Sequence, residues 1–461
     1  MLIDTWKKVI WQASIIINLS VFTEPGAYAQ SLCPSAPGEA AQFSVGFSQL
    51  SITPFNKLTL GGYGTYFGLK SDTRMNGEGI HDPLFSTALW LQKDAHQAVA
   101  LVALDLVGLS QATVERVEKE ARRRLNRPGL EILLAATHTH HSPDVLGLWG
   151  ALPLFTGRDN GYMNFMEDAV VRSIEAASKA SECAQLSWAR SFKETSWHPE
   201  LPSDSQEEQV LTLVATNPVS GTIIGTLSQW AAHPTLLKAN NNTISSDFPG
   251  TFRYFLAQNI PGIHLYVNGM LGNSYIPVKE GDVYPDPFTD GDRDKDVSNG
   301  YDQVAYHGRD LAQKVMEAVT NQRQPILSGK LAFYNHVFPF DVNNLRFNVA
   351  ERLKIIEDRG LSENRTNTRI SLIEVGELKI GTIPGEMFPS GSSQIRGLIH
   401  AKSPGPVMFL GIGNDWLGYL MHEEEFNDNK YKYQRDIAPH AKAVSKILTG
   451  YKNLLKNVPE N

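Results

Sequence analysis

The chain has 461 residues, 42% hydrophobic and 20% charged, and its 42 Lys+Arg against 49 Asp+Glu give a formal net charge of −7. That composition describes a globular protein with a large core rather than a disordered one, and a mildly acidic chain without a long basic run is a poor partner for nucleic acid. Two cysteines exclude a disulfide-built scaffold and a four-cysteine zinc module, so the chemistry has to come from His, Asp, Glu, Tyr or Ser.

At the start of the chain Lys7 and Lys8 precede an apolar stretch from Val9 to Phe22, and Ala27 and Ala29 flank Tyr28. This is the layout of a cleaved secretory signal over residues 1–29, with an uncleaved amphipathic anchor as the alternative because Gln12 and Asn18 interrupt the apolar core. No later segment reaches about 18 uninterrupted apolar residues, the length a spanning helix needs. The expectation is an exported protein, periplasmic or secreted. Residues 30–42 read as a flexible Pro/Gly/Ser-rich leader holding Cys33. Export permits a disulfide between Cys33 and Cys183, and the sequence leaves pairing and two unrelated thiols equally open.

From residue 43 onward apolar or alternating runs trade places with helical patterns. Asp82–Lys93 and Ala98–Gly108 read as strands, Gln111–Asn126 as a helix with Val114, Val117, Ala121 and Leu125 on one face, and Glu131–Ala136 as a buried strand. A helix over Tyr162–Ser181 precedes strands at 184–192, 208–217 and 221–232, a helix at about 248–259, a strand at Gly262–Val267 and a helix over Tyr301–Val319. Arg369–Val375 and Leu378–Ile383, joined by Gly376-Glu377, form a hairpin; a strand at 406–412 and a helix at about 438–456 follow. Residues 278–300 are acidic and turn-rich. Lys295 stands where a calcium loop needs Gly and no Glu closes it, which favours a solvated surface loop. With no internal repeat and no linker, the pattern implies one large α/β domain over 43–461, built of mixed β-sheets flanked by helices.

Three apolar strands end in groups that bind metals. Glu131–Ala136 runs into Thr137-His138-Thr139-His140-His141, where strand alternation would set His138 and His140 on one side. The plainer alternative is two hydrogen-bonded polar residues at a strand end. Ile223–Ala232 runs into His233, and Gly381-Thr382-Ile383 turns through Pro384-Gly385 into Glu386. His, His and Glu at strand C-terminal ends are the ligand set of a catalytic zinc, with a fourth position for water or a phenolate. The sequence has no His-Glu-x-x-His, no Gly-x-Ser-x-Gly elbow and no Walker loop, and Ser142 breaks a His-x-His-x-Asp-His pattern.

These residues carry a family resemblance. THTHHSPDVLGLWG resembles the THTHSGP signature of the neutral/alkaline, non-lysosomal ceramidases, and QWAAHPTLLKANNNTISSDFPG, LYVNGMLGNSYIP, IPGEMF and GNDWLGYLMHEEEFNDNKYKY are similar to later segments of that family. FSVGFSQLSITP and GIHDPLFSTALWLQ resemble its opening strands, so the match runs collinearly over about residues 43–435. The resemblance implies a zinc-dependent hydrolase of N-acyl (amide) bonds that releases fatty acid from ceramide or a related N-acyl lipid by zinc-activated water. His138, His233, Glu386 and Tyr419 would be the Zn2+ ligands, and His140 a histidine that either supports a ligand or acts in catalysis. Tyr431 would bond the substrate carbonyl, Asp247 would orient a ligand His, and Ser274 is a third candidate for the catalytic set. The partner implied is a lipid or small amide, with a peripheral membrane contact; the oligomeric state is left open.

The sequence also departs from the family. The family serine lies three residues after its loop glycine, but here Gly272 is followed by Asn273, Ser274 and Tyr275, so Ser274 is one place early and Asn273 replaces an aspartate. No Asn-Arg-Ser-Pro segment stands between His141 and His233 to supply the family's active-site arginine, and the expectation is a catalytic domain without the family's C-terminal immunoglobulin-like domain. Two alternatives therefore stand beside the amidase: a hydrolase of a different amide or ester, and an exported non-catalytic protein that binds a metal or ligand.

Overall fold

The computed structural model describes residues 33, 40–63, 79–150, 155–195, 208–276, 287–288, 300–357, 359–360 and 364–460. The signal expected over 1–29 and most of the acidic stretch expected at 278–300 lie outside the described residues.

Among the described residues the principal sheet has nine strands. In spatial order they are Ile263–Asn268, Ile223–Trp230, Gln209–Thr216, Glu182–Phe192, Gln42–Ser51, Phe85–Gln92, Ala98–Leu104 and Glu131–Ala136, with Gln324–Pro325 paired off this path to Glu182–Phe192. The outermost pair at each end is parallel and the rest are antiparallel. A second sheet orders Leu331–Asp341, Arg365–Val375, Leu378–Ile383 and Val407–Gly411. Its hairpin turns at Gly376-Glu377, where Val375 faces Leu378, and its last pair is parallel.

The uninterrupted apolar runs are explained by burial on both faces. In Ala98–Leu104, Ala100, Val102 and Leu104 face a core shared with helices Gln111–Arg124 and Asn160–Lys179, whereas Val99, Leu101 and Ala103 face the second sheet. Leu133, Leu265 and Leu89 join this inter-sheet core with Ile373, Ile380, Met408 and Leu410. Each such side chain contributes about 1.5–3 kcal/mol on burial. Helices Phe248–Ala257 and Tyr301–Asn321 cover the other end of the main sheet through Phe252, Leu256, Leu311 and Val315. The helix starts are set locally: Ser110 accepts from Thr113 N at 3.1 Å and Asp159 from Tyr162 N at 2.7 Å.

Cys33 and Cys183 are disulfide-bonded, which settles the pairing and ties residue 33 to strand Glu182–Phe192. No described helix is long and apolar enough to cross a membrane.

The two sheets meet where four strands end. Ala136 N donates to Ile412 O (3.3 Å), Gly413 N donates to Ile383 O (2.8 Å), and a Cβ on Gly411 would sit 1.8 Å from Gly269 O. The ends of Glu131–Ala136, Ile263–Asn268, Leu378–Ile383 and Val407–Gly411 are therefore drawn together at one place.

Candidate metal centre

The first strand stops at Ala136. Thr137 N and His138 N still donate to Leu104 O and Leu106 O, at 2.8 and 2.9 Å, and His138 then turns into the left-handed region at φ 71. The expected alternation along a strand does not operate here, because the strand has already ended. The His138 and His140 rings nevertheless meet edge to face, with Nε2 to Nε2 at 3.2 Å. Gly62 makes room for this, since a Cβ there would lie 2.3 Å from His140 Cγ.

His138 Nδ1 donates to Val107 O (2.5 Å) and His233 Nδ1 donates to Ser274 O (3.0 Å). A carbonyl only accepts, so both imidazoles are held with the proton on Nδ1 and the lone pair on Nε2. Both Nε2 atoms point at one carboxylate oxygen: Glu386 Oε2 is 3.4 Å from His138 Nε2 and 3.2 Å from His233 Nε2. Trp416 Nε1 donates to the other oxygen, Oε1, at 2.8 Å and so turns Oε2 inward. The three side chains are buried, and their ligand atoms all lie within 4.8 Å of one another.

A metal fits this arrangement. Ligand atoms about 2.0–2.1 Å from a tetrahedral ion stand roughly 3.3 Å apart, and the two contacts to Glu386 Oε2 have that length. Burial pushes the Glu386 carboxyl up, but the neighbouring His138 and His233 more than offset it, holding Glu386 well below the usual carboxylate range. Tyr419 faces Glu386 across a two-residue parallel ladder. Burial and then the Glu386 charge push its phenol well up, so a cation is what would turn it into a ligand. A cavity of about 20 Å³ adjoins the group, lined in part by His138, His140, Trp149, Glu386, Trp416, Tyr419 and Tyr433. That is room for about one water.

The other expected residues lie at varying distances from this cavity. Tyr431 is buried edge to face on Phe388, with ring centroids 5.1 Å apart, and does not line it; Tyr433, two residues on, does. Ser274 is fully buried, and its carbonyl positions His233 while its hydroxyl has no hydrogen-bond partner among the described residues. Asp247 does not orient a ligand histidine. It caps helix Phe248–Ala257, accepting from Phe248 N at 2.7 Å and Leu237 N at 3.4 Å, and backbone carbonyls hold both ligand imidazoles instead.

Four contributors went unassigned in the sequence: Trp416, Tyr433, Tyr275 and Asn268. Tyr275 stacks on His233 with centroids 4.8 Å apart. Asn268 donates to Thr137 O and accepts from Ala232 N at 3.1 Å, joining the two histidine-bearing chain ends. All four sit in tracts already singled out, Trp416 and Tyr433 in GNDWLGYLMHEEEFNDNKYKY and Asn268 and Tyr275 in LYVNGMLGNSYIP, so a signal existed for each; what each one touches is set by contacts far apart in the chain.

No protein-family model matches the sequence. Solved structures do share its fold. The crystal structure of neutral ceramidase from Pseudomonas aeruginosa superposes with a TM-score of 0.70 at 18% identity, over 92% of this chain and 76% of that one. A ceramidase complexed with C2 gives 0.70 at 17%, with the same coverage. The chain therefore has a mixed two-sheet α/β fold with a buried His-His-Glu group that could hold a metal. That fold is the neutral ceramidase fold.

Proposed function

We propose that this protein is a zinc-dependent hydrolase of N-acyl (amide) bonds, related to the ceramidases and acting on ceramide or another N-acyl lipid or amide. The observation that carries the reading is the buried convergence of His138, His233 and Glu386 within a ceramidase fold. His138, His233 and Glu386 would hold the zinc with the Tyr419 phenol beside them, and when bound it would supply Lewis acidity toward a carbonyl and an acidified water at neutral pH. His138 Nε2 has a single lone pair, so it cannot serve a metal and accept a proton from His140 together. Committed to the metal, it leaves His140 Nε2 to move protons in the cavity. Tyr433, which lines the cavity, is the phenol best placed to bond a carbonyl oxygen. The enclosed Ser274 hydroxyl favours water over a seryl nucleophile. A disulfide persists in oxidising compartments, which supports export to the periplasm or beyond.

The test is a hydrolysis screen of N-acyl lipids, simple amides and esters with zinc-loaded protein, with zinc content measured in parallel. His138→Ala and His233→Ala should be zinc-poor. His140→Ala should keep its zinc and lose about 10²–10⁴-fold in rate. Tyr433→Phe should slow turnover more than Tyr431→Phe, and Ser274→Ala should stay active. A zinc-filled parent inert toward every substrate would replace the hydrolase with a metal- or ligand-binding protein.

A further inference from the structure

A cavity of about 540 Å³, the size of a small-molecule site, lies away from the metal group, between the main sheet and helix Ser392–Lys402. Arg190 and Gln209 reach it from adjacent main-sheet strands, in which Arg190 pairs with Leu211 and Gln209 with Phe192. Ser393, Arg396 and His400 reach it from the helix, spaced i, i+3 and i+7 on one helical face. Gly397 stands on the same face, where an added Cβ would meet nothing within 4 Å. Glycine in a helix interior weakens the helix relative to alanine, and no neighbour requires it here. What its missing side chain provides is space in the cavity.

The Arg396 guanidinium is already fixed in place. It is 6% exposed, its Nη1 donates to Val407 O, its Nε donates to Ser392 Oγ at 3.2 Å, and it lies 4.7 Å over the Phe409 ring. Arg190 lies 5.5 Å over the Trp188 ring, and its Nε is buried with no hydrogen-bond partner among the described residues. A buried donor left unpaired is costly, and a ligand oxygen would satisfy it. The described residues that line the cavity include no carboxylate, so its fixed charge is positive.

We propose that this cavity binds a phosphomonoester dianion, carried by a small soluble molecule or by a lipid headgroup. A guanidinium offers its N–H groups in a fork that matches phosphate oxygens, and a pair of guanidiniums matches a double negative charge. A monocarboxylate would leave one of them uncompensated. Val407, on the cavity wall, begins the strand whose other end, Gly411, abuts Gly269 beside the converging strand ends, about 13 Å away along the strand. The site is thus separate from the metal centre and does not rest on the hydrolase reading.

The test is calorimetric titration of the full chain with glycerol 3-phosphate, and with succinate as a dicarboxylate of equal charge. Co-sedimentation with phosphatidylcholine vesicles, with and without phosphatidate, is run beside it. Arg190→Gln removes one fork, and Gly397→Leu fills the cavity without touching a charge; both should keep the parent's thermal midpoint. Saturable binding of glycerol 3-phosphate by the parent, at least about tenfold weaker in each variant, is the expected result and assigns a soluble ligand. Binding confined to phosphatidate vesicles and weakened in the same variants would assign the phosphate to a headgroup. No binding of either phosphate probe, succinate binding as tightly as glycerol 3-phosphate, or binding that either variant leaves intact would each overturn the proposal.

Discussion

The residue that the sequence misplaced most clearly, Asp247, still has a measurable property. It is buried, and burial lifts its carboxyl to about 7, despite the Phe248 and Leu237 backbone N–H groups it accepts from. An unfolded Asp titrates near 3.9, so between the two values the folded state holds the proton more tightly. Stability from this group is therefore full below about pH 4 and is lost as pH rises through about 7. Asp247→Asn keeps a capping oxygen and the size of the side chain while removing the ionisable group. Urea midpoints of the two proteins at pH 5 and pH 8 test the effect: the variant should gain on the parent as pH rises, and an equal gap at both values would mean that Asp247 ionises freely. Its assignment as an orienting carboxylate came from family likeness, and what replaced it, two backbone carbonyls, carries no side-chain signal in any sequence.

At the scale of elements, what can be read from sequence follows from what was local. Glu131–Ala136 matches its expected span, and Gln111–Arg124, Asn160–Lys179, Phe248–Ala257 and the hairpin at 376–377 lie within a few residues of theirs, because an apolar period or a turn pair is written in adjacent residues. Leu331–Asp341 was missed. It is an edge strand with only three of its eleven residues buried and Pro339 inside it, which an edge tolerates and a periodicity does not reveal. The convergence of strand ends is still less readable, since it depends on which strands are neighbours. Asn268 shows how the fold enforces it. Fully buried at the end of Ile263–Asn268, it donates to the carbonyl before His138 and accepts from the amide before His233. Groups that orient metal ligands typically cost 10–100-fold in affinity when removed. Asn268→Ala should therefore bind zinc at least about tenfold more weakly in competition with a chromogenic chelator, on protein shown to be folded by its thermal midpoint. A lowered midpoint with unchanged affinity would make Asn268 a packing residue only.

Across the whole molecule, the metal group belongs to neither sheet alone. His138 and His233 follow strands of the nine-stranded sheet, whereas Glu386 follows the second sheet's Leu378–Ile383 and faces Tyr419 beyond Val407–Gly411. Between these strand ends the contact is backbone on backbone, as at Gly411 and Gly269; the inter-sheet core of Leu101, Leu133, Ile380 and Met408 is apolar and undirected. A bound ion would add a directed cross-link between the two layers. Because such a site does not exist in the unfolded chain, binding energy becomes folding energy. A ligand that binds only the native state stabilises it by RT ln(1 + [L]/Kd), about 4 kcal/mol at a thousandfold excess over Kd. Chelating the zinc from the parent should therefore lower its urea midpoint, and restoring zinc should return it. His233→Ala, which removes one ligand from the main-sheet side, should start near the chelated parent and respond little to either treatment. An equal response of parent and variant would show that zinc acts elsewhere on the chain, and that the sheets are joined at this point by packing and backbone contacts alone.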